Sequence, residues 1–327
     1  MSVPALTRLT YKEAAAEGIL QAMEKDSRVF LLGEGVDNII GVYGHVLPAF
    51  RRFKEHRVID TPLCENGLTG FAIGSALDGM RPVLIHQRND FMLLAMDQMF
   101  NQAAKLRFAS GGHHKIPLTI LSFVARKPGE GVQHSQSLQA VFAHFPGVKV
   151  GMPASPTDAK GMILTAIDDD DPAIILEHRS LFNQNDFVPE GYYKTPFCAR
   201  VAREGKDLTI VAVSAAVQDA LEAADIFAKR GISAEVIDLR WIRPLDIETI
   251  IKSVSKTGRL IVVDTGWPMF GVGSEVIASV CERAMDCLIV PPQRISMADS
   301  PCPASQYLVA DYHPTVQNII DSVLIKP

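Results

Sequence analysis

The sequence predicts a globular α/β protein of two domains, each a mostly parallel sheet flanked by helices. Three observations support this prediction. The chain of 327 residues is too long for one ordinary hydrophobic core. Apolar residues make up 47% and charged residues 21%, which is the balance of a globular protein. Strand-like and helix-like stretches alternate almost throughout, as they do when helices join parallel strands.

In the first half of the chain, the spacing of Thr10 and Glu13 predicts a capping box and a helix that runs to about Lys25. Short apolar runs predict buried strands, and small-residue or periodic stretches predict helices. The predicted strands are RVFLLGE, RVIDTP, RPVLIH, IPLTILSFV, VKVGMP and AIILEH. The predicted helices are NGLTGFAIGSALDGM, residues 91–109, and the segments after Ser137 and Pro156.

This alternation lapses from about Leu181, and a second series of elements begins near residue 207. The predicted strands there are DLTIVAVS, SAEVIDLR and RLIVVDT, separated by the helices AVQDALEAADIFAKRG and DIETIIKSVSKTG. We therefore predict a first domain over residues 1–188, a linker over 189–206 and a smaller domain over 207–327.

Charge and composition exclude several classes of protein. The net charge of −5 gives no basic surface for nucleic acid or for an anionic membrane. No apolar run reaches membrane-spanning length, and the N-terminal stretch lacks a signal-peptide core. Five cysteines are scattered without a C-x-x-C pair, which indicates reduced thiols rather than a disulfide framework or a zinc site. These features predict a cytoplasmic protein.

Several common catalytic motifs are absent from the sequence. It has no G-x-G-x-x-G after a strand, which argues against an NAD-binding domain, and no P-loop or G-x-S-x-G elbow. FGVGSE at residues 270–275 is only a G-x-G, and we interpret it as the start of a helix. No H-E-x-x-H or similar cluster predicts a catalytic metal.

Four local features could contribute to chemistry, and each also has a purely structural interpretation. Glu65 in TPLCENG could instead cap a helix, and Phe91 in HQRNDF could belong to the core. His134 in EGVQHSQS could bind loop carbonyls, and the acidic run AIDDDDP could be a solvated turn.

Taken in order, several longer segments resemble one family. They are RVIDTPLCENGLTG, AMDQMFNQAAK, GVQHSQSLQAVFAHFPGVKV, DAKGMILTAI, EVIDLRWIRPLD and SPCPASQYLVADYHP. The chain resembles the beta subunit of the thiamine-diphosphate-dependent component of 2-oxo acid dehydrogenase complexes, from about Thr10 to Ile320. The resemblance implies a transketolase-like pyrimidine-binding domain followed by a transketolase C-terminal-like domain.

The resemblance assigns roles to the local features. It implies that Glu65 binds the pyrimidine nitrogen of thiamine diphosphate and exchanges a proton there, which activates the cofactor. Phe91 matches an aromatic residue that stacks on the aminopyrimidine ring, and Leu63 matches an apolar position that touches the cofactor. His134 matches a histidine near the substrate channel that assists acyl transfer to a lipoyl arm.

The resemblance also implies bound metals and partner chains. A structural potassium ion would be bound, largely through backbone oxygens, by Leu118, Ala166, Ile167, Asp169 and Asp171. The G-D-G…N motif that holds magnesium and the diphosphate is absent from this chain, because in this family it belongs to an alpha subunit. We therefore expect a heterotetramer of two alpha and two beta chains, with a lipoyl acyltransferase core as a possible further partner.

Two segments depart from the family pattern. Gln87 and Arg88 stand where an aromatic or small residue is common, and SFVARKPGEGVQHSQ lacks the usual R-G-P-x-G spacing before His134. Arg88 could bind a substrate carboxylate or phosphate, or form an inter-subunit salt bridge. These departures keep two alternatives open: a transketolase-like or acyl-transferring biosynthetic enzyme without a lipoyl complex, and a non-catalytic partner that stabilises an alpha chain.

Overall fold

The computed structural model describes residues 5–38, 42–126 and 129–324. Its contacts divide the chain into two compact units, residues 1–124 with 141–196 and residues 125–140 with 197–327. The division at residue 196 falls inside the predicted linker, 189–206. The assignment of residues 125–140 to the second unit differs from the predicted domains, 1–188 and 207–327.

The first unit contains the elements that the alternating pattern predicts, together with two strands that it does not. Its strands are β1 (Leu6–Thr10), β2 (Val29–Gly33), β3 (Val58–Asp60), β4 (Arg81–His86), β5 (Thr119–Val124), β6 (Lys149–Gly151), β7 (Ala173–His178) and β8 (Asn185–Pro189). Its α-helices are α1 (Tyr11–Lys25), α2 (Leu47–Phe53), α3 (Glu65–Leu77), α4 (Ala104–Ala109), α5 (Gln139–Ala143, which begins in the segment 125–140) and α6 (Pro156–Asp168). Short 3-10 turns lie at Val42–Gly44, Lys54–His56, Phe91–Ala95 and Arg179–Leu181.

The large sheet of the first unit is parallel, with the strand order β6-β7-β5-β4-β2-β3. Every residue of β2, β5 and β7 is buried, as expected for strands with helices on both faces. The unpredicted strands β1 and β8 pair with each other in an antiparallel ribbon. Because parallel strands all end at the same edge, the loops after β2, β3 and β4 meet at one edge of this sheet.

The helices begin where the sequence places their caps. The Thr10 hydroxyl accepts from the Glu13 backbone N–H, and the Glu13 carboxylate accepts from the Thr10 backbone N–H at 2.8 Å, so the predicted capping box before α1 is present. The helical region predicted for residues 91–109 is present, but its hydrogen bonding changes along its length. It begins as the 3-10 turn Phe91–Ala95, continues as a π-helix over Asp97–Ala103 and ends as α4.

The second unit has a smaller sheet, and two of its helices, Ala216–Lys229 and Ile247–Thr257, lie where the sequence predicts them. Its strands are β9 (Arg200–Arg203), β10 (Leu208–Ala212), β11 (Ala234–Asp238), β12 (Trp241–Arg243), β13 (Leu260–Val263) and β14 (Gln293–Ile295). Its helices are α7 (Ala216–Lys229), α8 (Ile247–Thr257), α9 (Val272–Ala284), the 3-10 turn Met285–Cys287, α10 (Gln306–Val309) and α11 (Val316–Leu324). The sheet order is β14-β13-β10-β11-β9, with only the edge strand β9 antiparallel.

The positions of these elements test two further predictions, for FGVGSE and for the linker. Helix α9 begins directly after Gly271, so FGVGSE is the start of a helix, as predicted. The stretch predicted as a linker contains residues of β8 and the whole of β9, and so it is not free of regular structure. Within the described residues, no helix combines the length and apolar character needed to cross a membrane.

Candidate functional site

The candidate site lies at the carboxyl edge of the parallel sheet in the first unit. Glu34 directly follows β2, Glu65 begins the helix after β3, and Phe91 begins the turn after β4. Helix α3 packs against β4 and against the turn Phe91–Ala95, so the elements that position Glu65 and Phe91 are neighbours. Ligand sites of parallel sheets are commonly found at this edge.

Glu65 is the first residue of α3, and its side chain is half-buried. The N-cap position is occupied by Cys64, and no side chain makes a capping hydrogen bond there. Helix capping by Glu65, the structural alternative, is therefore not what the structure has. A carboxylate in the first turn of a helix interacts favourably with the helix dipole. This interaction helps to hold the Glu65 side chain in place, although no side chain caps α3.

Two further carboxyl groups lie near Glu65. Asp60 at the end of β3 accepts from the backbone N–H of Gly35 at 2.6 Å and of Val36 at 3.2 Å, which fixes the loop after β2. Burial, together with the nearby carboxylates of Glu65 and Asp60, raises the pKa of Glu34. Glu34 is therefore easier to protonate than an isolated carboxyl group in water.

Apolar side chains flank this acidic group. Phe91 is half-buried, and its backbone N–H donates to the Arg88 carbonyl at 3.2 Å, which closes the turn after β4. Leu63 is 69% exposed although it lies only two residues before Glu65. A carboxyl group with an aromatic and an aliphatic side chain beside it fits a flat heteroaromatic ring that carries a basic nitrogen, as the aminopyrimidine of thiamine diphosphate does.

A buried histidine that the sequence analysis missed supports the first turn of α3. The Nε2 atom of His86 lies 3.2 Å from the hydroxyl of Thr69, which donates to the carbonyl of Glu65 at 2.7 Å. Burial lowers the pKa of His86 to about 4, so its ring is neutral near pH 7. Because the Thr69 hydroxyl proton is already used, Nε2–H of His86 is the donor to Thr69. A histidine at the end of the strand RPVLIH was the available signal.

Arg88 donates hydrogen bonds to two groups of the first unit. Its Nη1 donates to the hydroxyl of Tyr43 and, at 2.9 Å, to the carbonyl of Gln87. Gln87 in turn donates to the carbonyl of Glu34 at 3.1 Å. The two unusual residues after β4 are thus tied to the loops of the site, while a role of Arg88 in binding substrate stays a prediction.

The acidic run is neutralised by basic side chains, and so it is not merely a solvated turn. Its ion pairs are Lys25 and Lys194 with Asp168, Lys149 with Asp169, Arg81 and Lys115 with Asp170, and Arg107 and Lys149 with Asp171.

The backbone oxygens proposed to bind potassium also have partners. The carbonyls of Ile167 and Asp169 both accept from Nη1 of Arg81 at 2.9 Å, that of Leu118 accepts from the N–H of Ala173 at 2.9 Å, and that of Ala166 accepts from the N–H of Asp169 at 3.3 Å. A potassium ion would have to share these oxygens. In the part of the chain that the structure describes, no group of three or more His, Cys, Asp or Glu side chains could hold a metal ion.

His134 belongs to the second unit, in the segment 125–140. It lies in a turn before α5 and is half-buried, and its backbone N–H approaches the Gly131 carbonyl at 3.4 Å. The unusual spacing before His134 includes residues 127 and 128, which are outside the described residues. The structure therefore groups Leu63, Glu65, Arg88 and Phe91 within one unit and describes His134 within the other.

Comparison with known proteins matches both units to domain families. Residues 7–184 match the transketolase pyrimidine-binding domain, and residues 198–319 match the transketolase C-terminal domain. Among solved structures, a split-gene transketolase described as an inactive beta4 tetramer has a TM-score of 0.76, with 97% of each chain covered. Its sequence identity is 21%, so this likeness shows the fold alone.

Curated relatives match along nearly the whole chain. The mitochondrial beta subunit of the pyruvate dehydrogenase E1 component from Bos taurus is 39% identical, covering 98% of this chain and 91% of the relative. The corresponding subunit from Chaetomium thermophilum is 42% identical, covering 95% and 83%. The beta subunit of acetoin:2,6-dichlorophenolindophenol oxidoreductase from Cupriavidus necator is 40% identical, covering 95% of both chains.

Proposed function

We propose a function from the premise that this chain belongs to the family of the beta subunits of thiamine-diphosphate-dependent 2-oxo acid dehydrogenases, within the transketolase-like enzymes. The chain supplies the aminopyrimidine-binding half of an active site for oxidative decarboxylation and acyl transfer. The observation that carries this proposal is the half-buried Glu65 at the start of α3, with Leu63 two residues before it and Phe91 in the turn against which α3 packs.

Each of these side chains has a distinct task. The carboxyl group of Glu65 binds the pyrimidine nitrogen and exchanges a proton with it, close to Glu34, whose pKa is raised by burial and by the carboxylates of Glu65 and Asp60. Phe91 presents its ring face to the pyrimidine, and Leu63 limits access of water. Thr69 and neutral His86 hold the backbone of Glu65, so the carboxyl group keeps its direction. Thiamine diphosphate, when bound, acts as the electron sink for decarboxylation.

The remaining half of the site comes from a partner in this proposal. An alpha subunit contributes the motif that binds magnesium and diphosphate, and two alpha and two beta chains form the working assembly. The sequence of this chain contains no such motif. Exposed apolar side chains beside the site, including Leu94 at 66% and Phe71 at 56% exposure, are consistent with a surface that a partner covers.

The test is to measure cofactor binding and turnover with and without the alpha subunit. Calorimetry with thiamine diphosphate and magnesium should show weak binding to the chain alone and tight binding to the reconstituted assembly. Decarboxylation of pyruvate, followed with 2,6-dichlorophenolindophenol as electron acceptor, should require both chains. Tight binding and turnover by this chain alone would contradict a divided site.

A second candidate is a transketolase-like or acyl-transferring enzyme that uses no lipoyl complex. The observation that favours it is the pair Gln87 and Arg88, whose contacts with the loop after β2 and with Tyr43 place polar side chains near Glu34. Pyruvate, branched-chain 2-oxo acids, acetoin and sugar phosphates should be compared as donors in the reconstituted assembly, each with lipoamide and with an aldehyde as acceptor. Transfer to the aldehyde without transfer to lipoamide would favour the second candidate.

Three finer points belong to the same proposal. His134 assists acyl transfer to a lipoyl group, and a lipoyl acyltransferase core is the further partner. Potassium stabilises the loop after α6, and exchanging potassium for lithium should then lower the melting temperature. The cytoplasm is the proposed compartment, which cell fractionation would test.

A further inference from the structure

A row of buried polar side chains fixes the segment that contains His134. The side-chain amide Nε2 of Gln139 donates to Oδ1 of Asp264 at 2.7 Å. The hydroxyl of Ser137 donates to Oε1 of Gln139 at 2.8 Å and lies 3.2 Å from the hydroxyl of Thr265. All four of these residues are buried, and all belong to the second unit.

Asp264 is the fixed point of this row. It directly follows β13, is completely buried, and also accepts from the backbone N–H of Gly266 and of Val272 at 3.1 Å each. Burial raises the pKa of Asp264, while these hydrogen bonds oppose the rise. Because Oδ1 and Oδ2 of Asp264 both accept from backbone N–H groups, Oδ1 presents an acceptor that selects the NH2 end of the Gln139 amide. The orientation of Gln139 then fixes Ser137 as a donor.

The backbone next to these buried polar side chains passes very close to them. A side chain at Gly266 would place its Cβ only 2.8 Å from Nε2 of Gln139, so the Gln139 amide would have to shift. At the other end of the segment, the N–H of Gly129 donates to the carbonyl of Ala304 at 2.9 Å. The stretch with His134 is therefore held at both ends, at Gly129 by backbone and at Gln139 by a buried side chain.

We infer that Gln139 and Asp264 are positioning residues for His134, held within the second unit, and that they serve the acyl-transfer step. This inference rests on the role of His134 in the proposed function. Gln139 is only five residues after His134, and α5 begins at Gln139, so loss of the Asp264 contact frees both the start of that helix and the turn before it. A misplacement of about 1 Å at a reacting group commonly costs about 10²-fold in rate.

The test compares three variants in the reconstituted assembly. Gln139→Met keeps the length of the side chain but removes its hydrogen bonds. We expect its kcat for acyl transfer to lipoamide to fall by roughly 10-fold or more, with an unchanged KM for lipoamide. The rate with 2,6-dichlorophenolindophenol should stay within two-fold of wild type, because losing an interaction that serves only one step lowers only the rate of that step. Hydrogen exchange of residues 129–140 should become faster.

Glu235→Gln is the matched control. Glu235 is also a buried carboxylate of the second sheet that accepts from a backbone N–H, that of Gly205 at 3.2 Å, but it lies near the amino end of β11. This variant should leave the ratio of the two activities and the exchange of residues 129–140 unchanged. An equal loss of both activities in Gln139→Met would indicate a general structural role and overturn the inference.

His134→Ala distinguishes a failure of the proposed role of His134 from a failure of the positioning inference. If His134→Ala transfers acyl groups normally, the proposed role of His134 is wrong, whatever Gln139→Met does. If His134→Ala is impaired and Gln139→Met is not, the positioning inference alone is wrong. Should Gln139→Met fail to assemble, Gln139→Asn keeps an amide among the buried polar side chains but is one methylene too short for the 2.7 Å contact with Asp264, and it should lower transfer by about 3- to 10-fold, the equivalent of one hydrogen bond. Normal transfer by that variant would likewise overturn the inference.

Discussion

Glu65 lies at the start of a helix, where the helix dipole favours negative charge, and close to two other acidic residues. Glutamine keeps the size and much of the hydrogen bonding of Glu65 but cannot exchange a proton. We therefore expect Glu65→Gln to fold and assemble normally and to lose about 10²–10⁴-fold in turnover. Hydrogen–deuterium exchange at the thiazolium carbon of the cofactor in the reconstituted assembly measures the affected step directly.

A purely structural Glu65 would behave differently. The melting temperature would drop and the exchange rate would stay within a few-fold of wild type. Glu55→Gln, in the exposed 3-10 turn before β3, is a control for the loss of one carboxylate from the first unit.

His86 predicts a pH dependence of stability. Burial lowers its pKa in the folded chain to about 4, from 6.5 in an unfolded one. As the pH falls from 6.5 to 4, the unfolded chain binds a proton that the folded chain does not, so folding loses roughly 3 kcal/mol from this group. His86→Phe should lack this part of the acid destabilisation, which urea unfolding at a series of pH values would show.

His114→Gln, at an exposed position, is the control and should leave the pH profile unchanged. Some slope should remain in His86→Phe, because burial and the nearby Arg126 lower the pKa of His313 to about 4 as well. A profile identical to wild type would show that His86 does not titrate in this way.

At the scale of elements, the packing of α1 against α6 encloses a lysine. The side chain of Lys160 is completely buried, with its ammonium 3.1 Å from Glu17 and 3.0 Å from the carbonyl of Pro189. We expect Glu17→Leu to cost about 2 kcal/mol, because it leaves the ammonium buried with too few partners. Lys160→Met combined with Glu17→Leu should recover most of that loss, and chemical unfolding of the single and double variants tests this.

The double variant can also contradict this expectation. If the double variant is no more stable than Glu17→Leu alone, an underpartnered buried ammonium is not the cause of the loss and the expectation is wrong. The control is the exposed ion pair of Arg52 and Glu24 on the neighbouring helices, whose charged groups are 3.8 Å apart. Glu24→Leu, alone or combined with Arg52→Met, should change stability little.

Elements whose signals are local could be predicted, and those that depend on distant partners could not. Thr10 and Glu13 predict the start of α1 because both ends of the capping box lie within one turn. Residues 185–189 show no strand pattern on their own, since their partner β1 is at the other end of the first unit. At the site, the resemblance supplied Glu65 and Phe91. It did not supply Thr69 and His86, whose contact depends on how α3 lies on β4.

At the scale of the whole molecule, the second unit takes one segment from the middle of the chain. A fragment of residues 197–327 would lack Gln139 and leave the buried Asp264 without one of its donors. We expect this fragment to melt at a lower temperature than the second unit does within the full-length chain. A synthetic peptide of residues 125–140, at about 100 times its dissociation constant, should stabilise the fragment by about 2.7 kcal/mol.

The matched control is the same peptide with Gln139→Met. It keeps the buried Leu138 but cannot donate to Asp264, so it should bind more weakly. Equal stabilisation by both peptides would show that the amide contact is not what holds the segment.

The place of this segment in the chain also sets a delay during synthesis. Gln139 and Asp264 are 125 residues apart, and a ribosome that adds about 5–20 residues per second needs roughly 6–25 s to cover that distance. Throughout that interval the His134 segment has been synthesised, while the strand end that will receive it does not yet exist. The second unit cannot close around this segment until β13 and Asp264 have been synthesised, so the histidine is set in place only after that delay.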